Sequence, residues 1–164
     1  MKILILGNAR HGKDTLAELF NKYFGLTFMS SSQASADFFL YDQLKDKYGY
    51  TSSEECFNDR VNHRDEWYLA ICDYNKDNRA RLAQDILSKT DCYVGMRDKA
   101  EFDECVKQNL FDLIIWVDAS KRLPLEPGTS FNINISDADI VVENNGTYED
   151  FVEKAKRIGK LLFN

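Results

Sequence analysis

The segment Gly7-Asn8-Ala9-Arg10-His11-Gly12-Lys13-Asp14-Thr15 carries the most specific chemistry in the chain. It matches G-x-x-x-x-G-K, the spacing of a phosphate-binding loop. Gly7 and Gly12 permit backbone angles and close approach that a Cβ would obstruct. Successive N–H groups can then face one concavity, and the following helix adds about half a positive charge at its N-terminus. Lys13 can reach the β- and γ-phosphates of a nucleotide triphosphate and offset charge as a phosphoryl group moves. The usual Ser or Thr after the lysine, a Mg²⁺ ligand, is replaced by Asp14, with Thr15 next. Mg²⁺ keeps several waters and favours carboxylates, so Asp14 is the candidate metal ligand. Alternatively Asp14 caps the helix and Thr15 contacts the α-phosphate.

Phosphoryl transfer is mostly positioning and charge neutralisation, so an acceptor site needs cations and hydroxyls. A planar guanidinium grips two phosphate oxygens at once. The candidates are Arg60, Arg64, Arg97 and Arg122. Arg60 and Arg64 stand one helical turn apart and would share a helix face. Arg97 would end a strand on its carboxyl side, where ligands bind in open α/β sheets. Arg122 opens a Pro/Gly loop that could close over the site. Ser31 and Ser32 could contact the acceptor, and Asp37 is a candidate base to orient the attacking oxygen. Trp67 could stack on a nucleobase, or pack into the core. His11 could touch phosphate; His63 reads as a capping or packing residue.

The elements that must hold these residues follow from apolar spacing. The run Ile3–Leu6 suits a fully buried strand. Lys13–Phe24 places Leu16, Leu19, Phe20 and Tyr23 on one helical face. A weak strand is expected at 26–29. Ser52 to Glu55 has a capping-box spacing that opens a helix. Helices are expected at 60–74 and 78–88, and a strand at 92–95. Asp98 then caps a helix with Phe102, Cys105 and Val106 inward. The clearest buried strand is 111–117. Residues 121–136 are loop-like, with Pro124, Pro127 and Gly128, and would make a short lid. A strand at 139–142, an Asn144-Asn145-Gly146 turn and a helix over Tyr148–Phe163 complete the chain. Strands alternating with helices imply a parallel sheet covered on both faces.

Composition sets the outer limits. A length of 164 residues fits one domain, with residues 30–90 as its acceptor-binding insert. With 44% hydrophobic and 29% charged residues the chain is globular. No apolar run approaches the length of a membrane span. After Ile3–Leu6 the chain turns polar, so no secretory signal is expected and the cytoplasm is the expected location, that of the host if a phage encodes the chain. Cys56, Cys72, Cys92 and Cys105 form no C-x-x-C pair, and His11 and His63 are the only histidines, which argues against zinc. A formal charge of −6 argues against bulk nucleic-acid coating. Positive charge must then be concentrated around Lys13 and the four arginines if two anionic substrates are handled.

Gly12-Lys13-Asp14-Thr15 resembles P-loop kinases that act on deoxynucleoside monophosphates in bacteriophages. Val94-Gly95-Met96-Arg97, followed by Glu101, is similar to that family's strand-plus-Arg element. Gly95 stands where the family often has Asp. Asp137-Ala138-Asp139-Ile140-Val141-Val142-Glu143-Asn144-Asn145-Gly146-Thr147 is similar to the closing strand and turn of these kinases and of dephospho-coenzyme A kinases. The segment from Tyr48 through Trp67 looks like a phage branch, in which a related activity phosphorylates the hydroxymethyl group of 5-hydroxymethyluracil in DNA. The resemblance implies a three-layer α/β P-loop fold with a five-stranded parallel sheet ordered 2-3-1-4-5. It implies ATP and Mg²⁺, with Asn145 and Gly146 in a base-binding loop. The implied acceptor is a free deoxynucleoside monophosphate or hydroxymethyluracil-containing DNA, equally, and both a monomer and a homodimer fit. A P-loop ATPase or nucleotide switch that phosphorylates nothing is the alternative.

Overall fold

Strands that are apolar at every position can only be buried on both faces, and here they pair in parallel. In the computed structural model, which describes residues 1–127 and 131–163, β1 (Ile3–Leu6), β2 (Phe28–Ser30), β3 (Cys92–Val94), β4 (Leu113–Asp118) and β5 (Ile140–Glu143) form one sheet. Its order is β2-β3-β1-β4-β5, all neighbours parallel, as expected. Central β1 sets Ile5 beside Val94 on one side and Ile115 on the other.

Alternation along β1 divides the core into two layers. Ile3 and Ile5 face α1 (Lys13–Phe24) and α8 (Tyr148–Phe163), packing with Leu16, Phe20, Phe151 and Ala155. Leu4 and Leu6 face the opposite layer, with Leu82 and Ile86 of α6 (Arg81–Lys89) and Phe102 and Cys105 of α7 (Lys99–Lys107). Residues 30–90 join that second layer through Ala34, Phe39, Leu40, Leu44 and Trp67. No helix among the described residues is long and apolar enough to cross a membrane.

Residues 30–90 depart most from expectation. Residues 31–48 are almost wholly helical: α2 (Ser31–Ser35), a π turn over Ala36–Leu40, then α3 (Tyr41–Tyr48). Serines are mediocre helix formers, so burial of one face, not propensity, sets this path. The hydroxyl of Ser30 starts it by accepting the Gln33 N–H at 3.1 Å. At α4 (Ser53–Asp59), Ser52 caps the Glu55 N–H, and the Glu55 carboxylate returns chiefly to the Thr51 N–H and hydroxyl. The helix expected over 60–74 is broken into a 3₁₀ turn, Arg60–Asn62, and α5 (Arg64–Tyr74). His63 makes the break, stacked on Tyr48 at 4.0 Å and bonded to the Asp59 carboxylate at 2.9 Å. Tyr23 and Val106 face solvent rather than the core, and Cys72 is exposed while the other cysteines are buried. Of the loop expected over 121–136, residues 128–130 lie outside the described residues.

Candidate active site

The loop between β1 and α1 has the geometry its glycines dictate. Gly7 has φ 147°, and a Cβ there would meet the Val117 carbonyl at 2.5 Å. Gly12, at φ 104°, starts α1 and would press a Cβ onto the Asn144 side-chain amide at 2.5 Å. Half-buried Lys13 folds back so that its ammonium donates to the Asn8 carbonyl at 3.0 Å. Burial lowers its pKa; Asp14 and Glu126 oppose that, and Arg97 reinforces it.

His11 does not face the loop's concavity. Its ring is fully buried, Nδ1 accepts the Ala119 N–H at 3.0 Å, and Nε2 meets the Pro124 carbonyl at 3.1 Å. Because Nδ1 accepts, the ring proton sits on Nε2 and is donated to Pro124. His11 therefore ties the loop to the end of β4 and to the segment beyond it, and the phosphate contact expected of its side chain is corrected. His11→Ala would leave a buried N–H and carbonyl unpaired around a cavity. The expected loss is about 2–4 kcal/mol, read from urea unfolding; a change below about 1 kcal/mol would contradict this role.

A cleft of about 250 Å³ opens beside the loop, lined by Arg10, Gly12, Thr15, Arg122, Asn144, Gly146, Tyr148 and Phe151. The Asn144–Gly146 turn is fixed from both sides. The Asn144 side chain donates to the His11 carbonyl at 2.9 Å, and Arg122 Nε donates to the Asn144 carbonyl at 2.7 Å. Asn145 accepts the Lys121 N–H, and its buried amide nitrogen has no partner among the described residues. Arg122 thus lines this cleft beside Arg10, Gly12 and Thr15 of the loop.

On the other side of Lys13 the carboxyl ends of β2 and β3 converge. A Cβ at Gly95, which has φ 86°, would stand in ordinary contact, 3.7 Å from Lys13 Cε and 3.9 Å from Ser31 Oγ. Ser31 donates to the Gly95 carbonyl at 3.2 Å. Beneath this edge lies a polar pair that sequence spacing did not single out. Fully buried Tyr93 donates its phenol proton to Glu101 at 3.0 Å, with Ser31 beside the phenol oxygen. Burial pushes the Glu101 carboxyl up to about 8, the Tyr93 bond opposes this, and Asp98 adds to it. Ser32 lies half-buried in α2.

The remaining expected residues are dispersed. Arg97 is partly exposed and pairs with Glu126. Arg60 turns onto Phe57, donating to its carbonyl at 2.8 Å with the guanidinium 3.8 Å from the ring centre. Arg64 is exposed at the start of α5, so the break at His63 removes the shared helix face expected for the two arginines. Trp67 is buried in the core, the second of its two expected readings, and so is not placed to stack on a base. Asp37 is exposed and accepts from Gln33 within the same helical path. Asp14 is exposed on the first turn of α1. Among the described residues no group of three or more His, Cys, Asp or Glu side chains converges as a metal site. One carboxylate fits Mg²⁺ only with nucleotide phosphates and water completing its ligands.

A glycine-rich loop leading from the central strand into a helix that starts with lysine, on a 2-3-1-4-5 parallel sheet, defines the P-loop kinase-like fold. No family model matches the sequence, and no curated protein matches it. Solved structures do match: a shikimate kinase from Bacteroides thetaiotaomicron at 11% identity, over 99% of this chain and 98% of that one, with a TM-score of 0.54; and a shikimate kinase from Aquifex aeolicus vf5 at 13% identity, over 100% of both chains, with a TM-score of 0.50. At such identity the likeness is one of fold.

Proposed function

We propose that the chain is an ATP-dependent phosphotransferase whose acceptor is a deoxynucleotide. The carrying observation is the position of Lys13, between the loop of Gly7–Thr15 on one side and Gly95 with Ser31 on the other. ATP phosphates would take the loop N–H groups and the Lys13 ammonium. The base would enter the cleft between Arg122 and the Asn144–Gly146 turn, where the unpartnered Asn145 amide could donate to a ring nitrogen. Asp14 would hold Mg²⁺, which supplies further charge neutralisation on the phosphates. An acceptor oxygen over Gly95 attacks the γ-phosphorus in line. The bond to the β,γ-bridging oxygen breaks, ADP leaves, and a hydroxyl acceptor releases its proton to solvent.

Of the two acceptors, we favour a hydroxyl group such as that of 5-hydroxymethyluracil in phage DNA. A second phosphate would need several converging guanidinium groups, whereas Arg60 is turned onto Phe57 and Arg64 stands apart from it across the break at His63. The hydroxyl of Ser31 at the acceptor edge suits an alcohol. The net charge of −6 is the observation that favours a free deoxynucleoside monophosphate, because DNA binding relies on a basic surface. Labelled ATP offered with the four deoxynucleoside monophosphates and with hydroxymethyluracil-containing DNA separates the two. Label in DNA alone is the expected outcome; label in a monophosphate alone selects the second reading. Phosphate release with neither acceptor labelled would replace both with an ATPase.

A further inference from the structure

On the nucleotide reading of Gly7–Thr15 given above, we propose that Glu126 is an internal competitor for the phosphate seat, holding the loop in the nucleotide-free chain and yielding it when a polyphosphate arrives. A carboxylate is an acceptor-only anion, as a phosphate is, and this one uses both oxygens as a phosphate would. Oε2 accepts the Ala9 N–H at 2.7 Å, from inside the loop. Oε1 pairs with the Arg97 guanidinium. The Lys13 ammonium also feels this charge, since Glu126 is one of the two carboxylates that oppose the effect of burial on it.

The main chain delivers the carboxylate to that place. The Glu126 N–H donates to the Asn8 side-chain oxygen at 2.8 Å, and two residues earlier the Pro124 carbonyl accepts from His11. Both anchors belong to the loop, so residues 124–126 are laid against it. The Glu126 side chain is only 15% exposed, against 44% for Arg97. An anion at that depth needs cations and N–H donors around it. The loop provides them because it is built to hold an anion.

The exchange has a directional consequence. A polyphosphate carries more charge and more acceptor oxygens than one carboxylate, so it takes over the Ala9 N–H and the neighbourhood of Lys13. Glu126 then loses its place on the Ala9 N–H, and the loop is given over to the incoming polyphosphate.

Calorimetric titration with inorganic pyrophosphate in EDTA reads the seat without a metal, using the full chain, Glu126→Gln and Glu126→Ala at equal ionic strength. Both variants are expected to bind pyrophosphate about tenfold more tightly than the unaltered chain, because no internal anion must be displaced. Glu126→Gln keeps an acceptor for the Ala9 N–H and so preserves the loop contact if Glu126→Ala disturbs folding. Equal or weaker pyrophosphate binding by the variants overturns the proposal while leaving the nucleotide reading intact. Binding that weakens in the variants only when Mg²⁺ is added also overturns it, and makes Glu126 a metal ligand. If no form binds pyrophosphate or ATP, the nucleotide reading falls and takes the competitor with it.

Discussion

Lys13→Met is expected to lower phosphoryl transfer by about 10³-fold or more while leaving the chain as stable as before, or slightly more so. The two halves of this result have one cause. The ammonium is half-buried in a loop where it donates to the Asn8 carbonyl. Burial works against its charge, and nearby Arg97 adds to that cost. A methionine of similar length fills the same path without a charge to desolvate, so the fold loses little. The bound polyphosphate loses its nearest full positive charge at the moment charge redistributes. Substitutions that gain stability and lose activity are expected where a site is built for a ligand that the free chain lacks. Transfer rates with labelled ATP, set beside thermal melts of the same preparations, measure both halves. A variant that melted far below the unaltered chain would make Lys13 a structural residue. One that kept its transfer rate would remove the phosphate-binding role of the loop.

The parts legible in the sequence are those governed by local spacing. Gly7, Gly12 and Lys13 were readable because a phosphate-binding turn requires particular residues at fixed intervals. The strands were readable because burial on both faces leaves uninterrupted apolar runs such as Ile3–Leu6. The order β2-β3-β1-β4-β5 came with the family resemblance and agrees with the sheet. What stayed hidden depends on contacts between distant residues. Residues 31–48 show no local pattern that marks their helices, because their serines mask a buried face of Ala34, Phe39, Leu40 and Leu44. His63 breaks the helix at 60–74 through a stack on Tyr48, fifteen positions earlier, and that break separates Arg60 from Arg64. Glu126 is a single carboxylate in a proline-flanked loop, with no local pattern to mark its contact with Ala9, 117 positions away. Trp67 and Tyr68 look equivalent in sequence; only the packing shows the first buried and the second exposed.

Glu101 gives the strongest expected dependence of stability on pH. Its carboxyl is buried beside Tyr93, titrates near 4.5 when unfolded, and is pushed up to about 8 in the folded chain. Below pH 4.5 both states hold the proton, and burial of this group carries no ionic cost. As the pH rises above 4.5, unfolding releases the proton into solvent while the folded chain retains it, so stability falls. The loss continues until the folded group itself ionises near pH 8, then levels off. Its full extent is on the order of a few kcal/mol, since each unit of displacement is worth about 1.4 kcal/mol. Glu101→Gln keeps the shape and an oxygen for the Tyr93 phenol, but it cannot ionise. The variant should therefore match the unaltered chain near pH 5 and become progressively more stable than it up to about pH 8–9. Denaturant unfolding of both proteins at intervals across that window isolates this residue, because every other titrating group contributes alike to the two curves. Parallel curves would show that Glu101 titrates like an ordinary exposed glutamate. Because Tyr93 also meets Ser31 at the acceptor edge, the same substitution should leave transfer activity near pH 6 unchanged. Only above pH 8 should the two enzymes diverge, as the ionised Glu101 of the unaltered chain alters the hydrogen bond that orients the phenol.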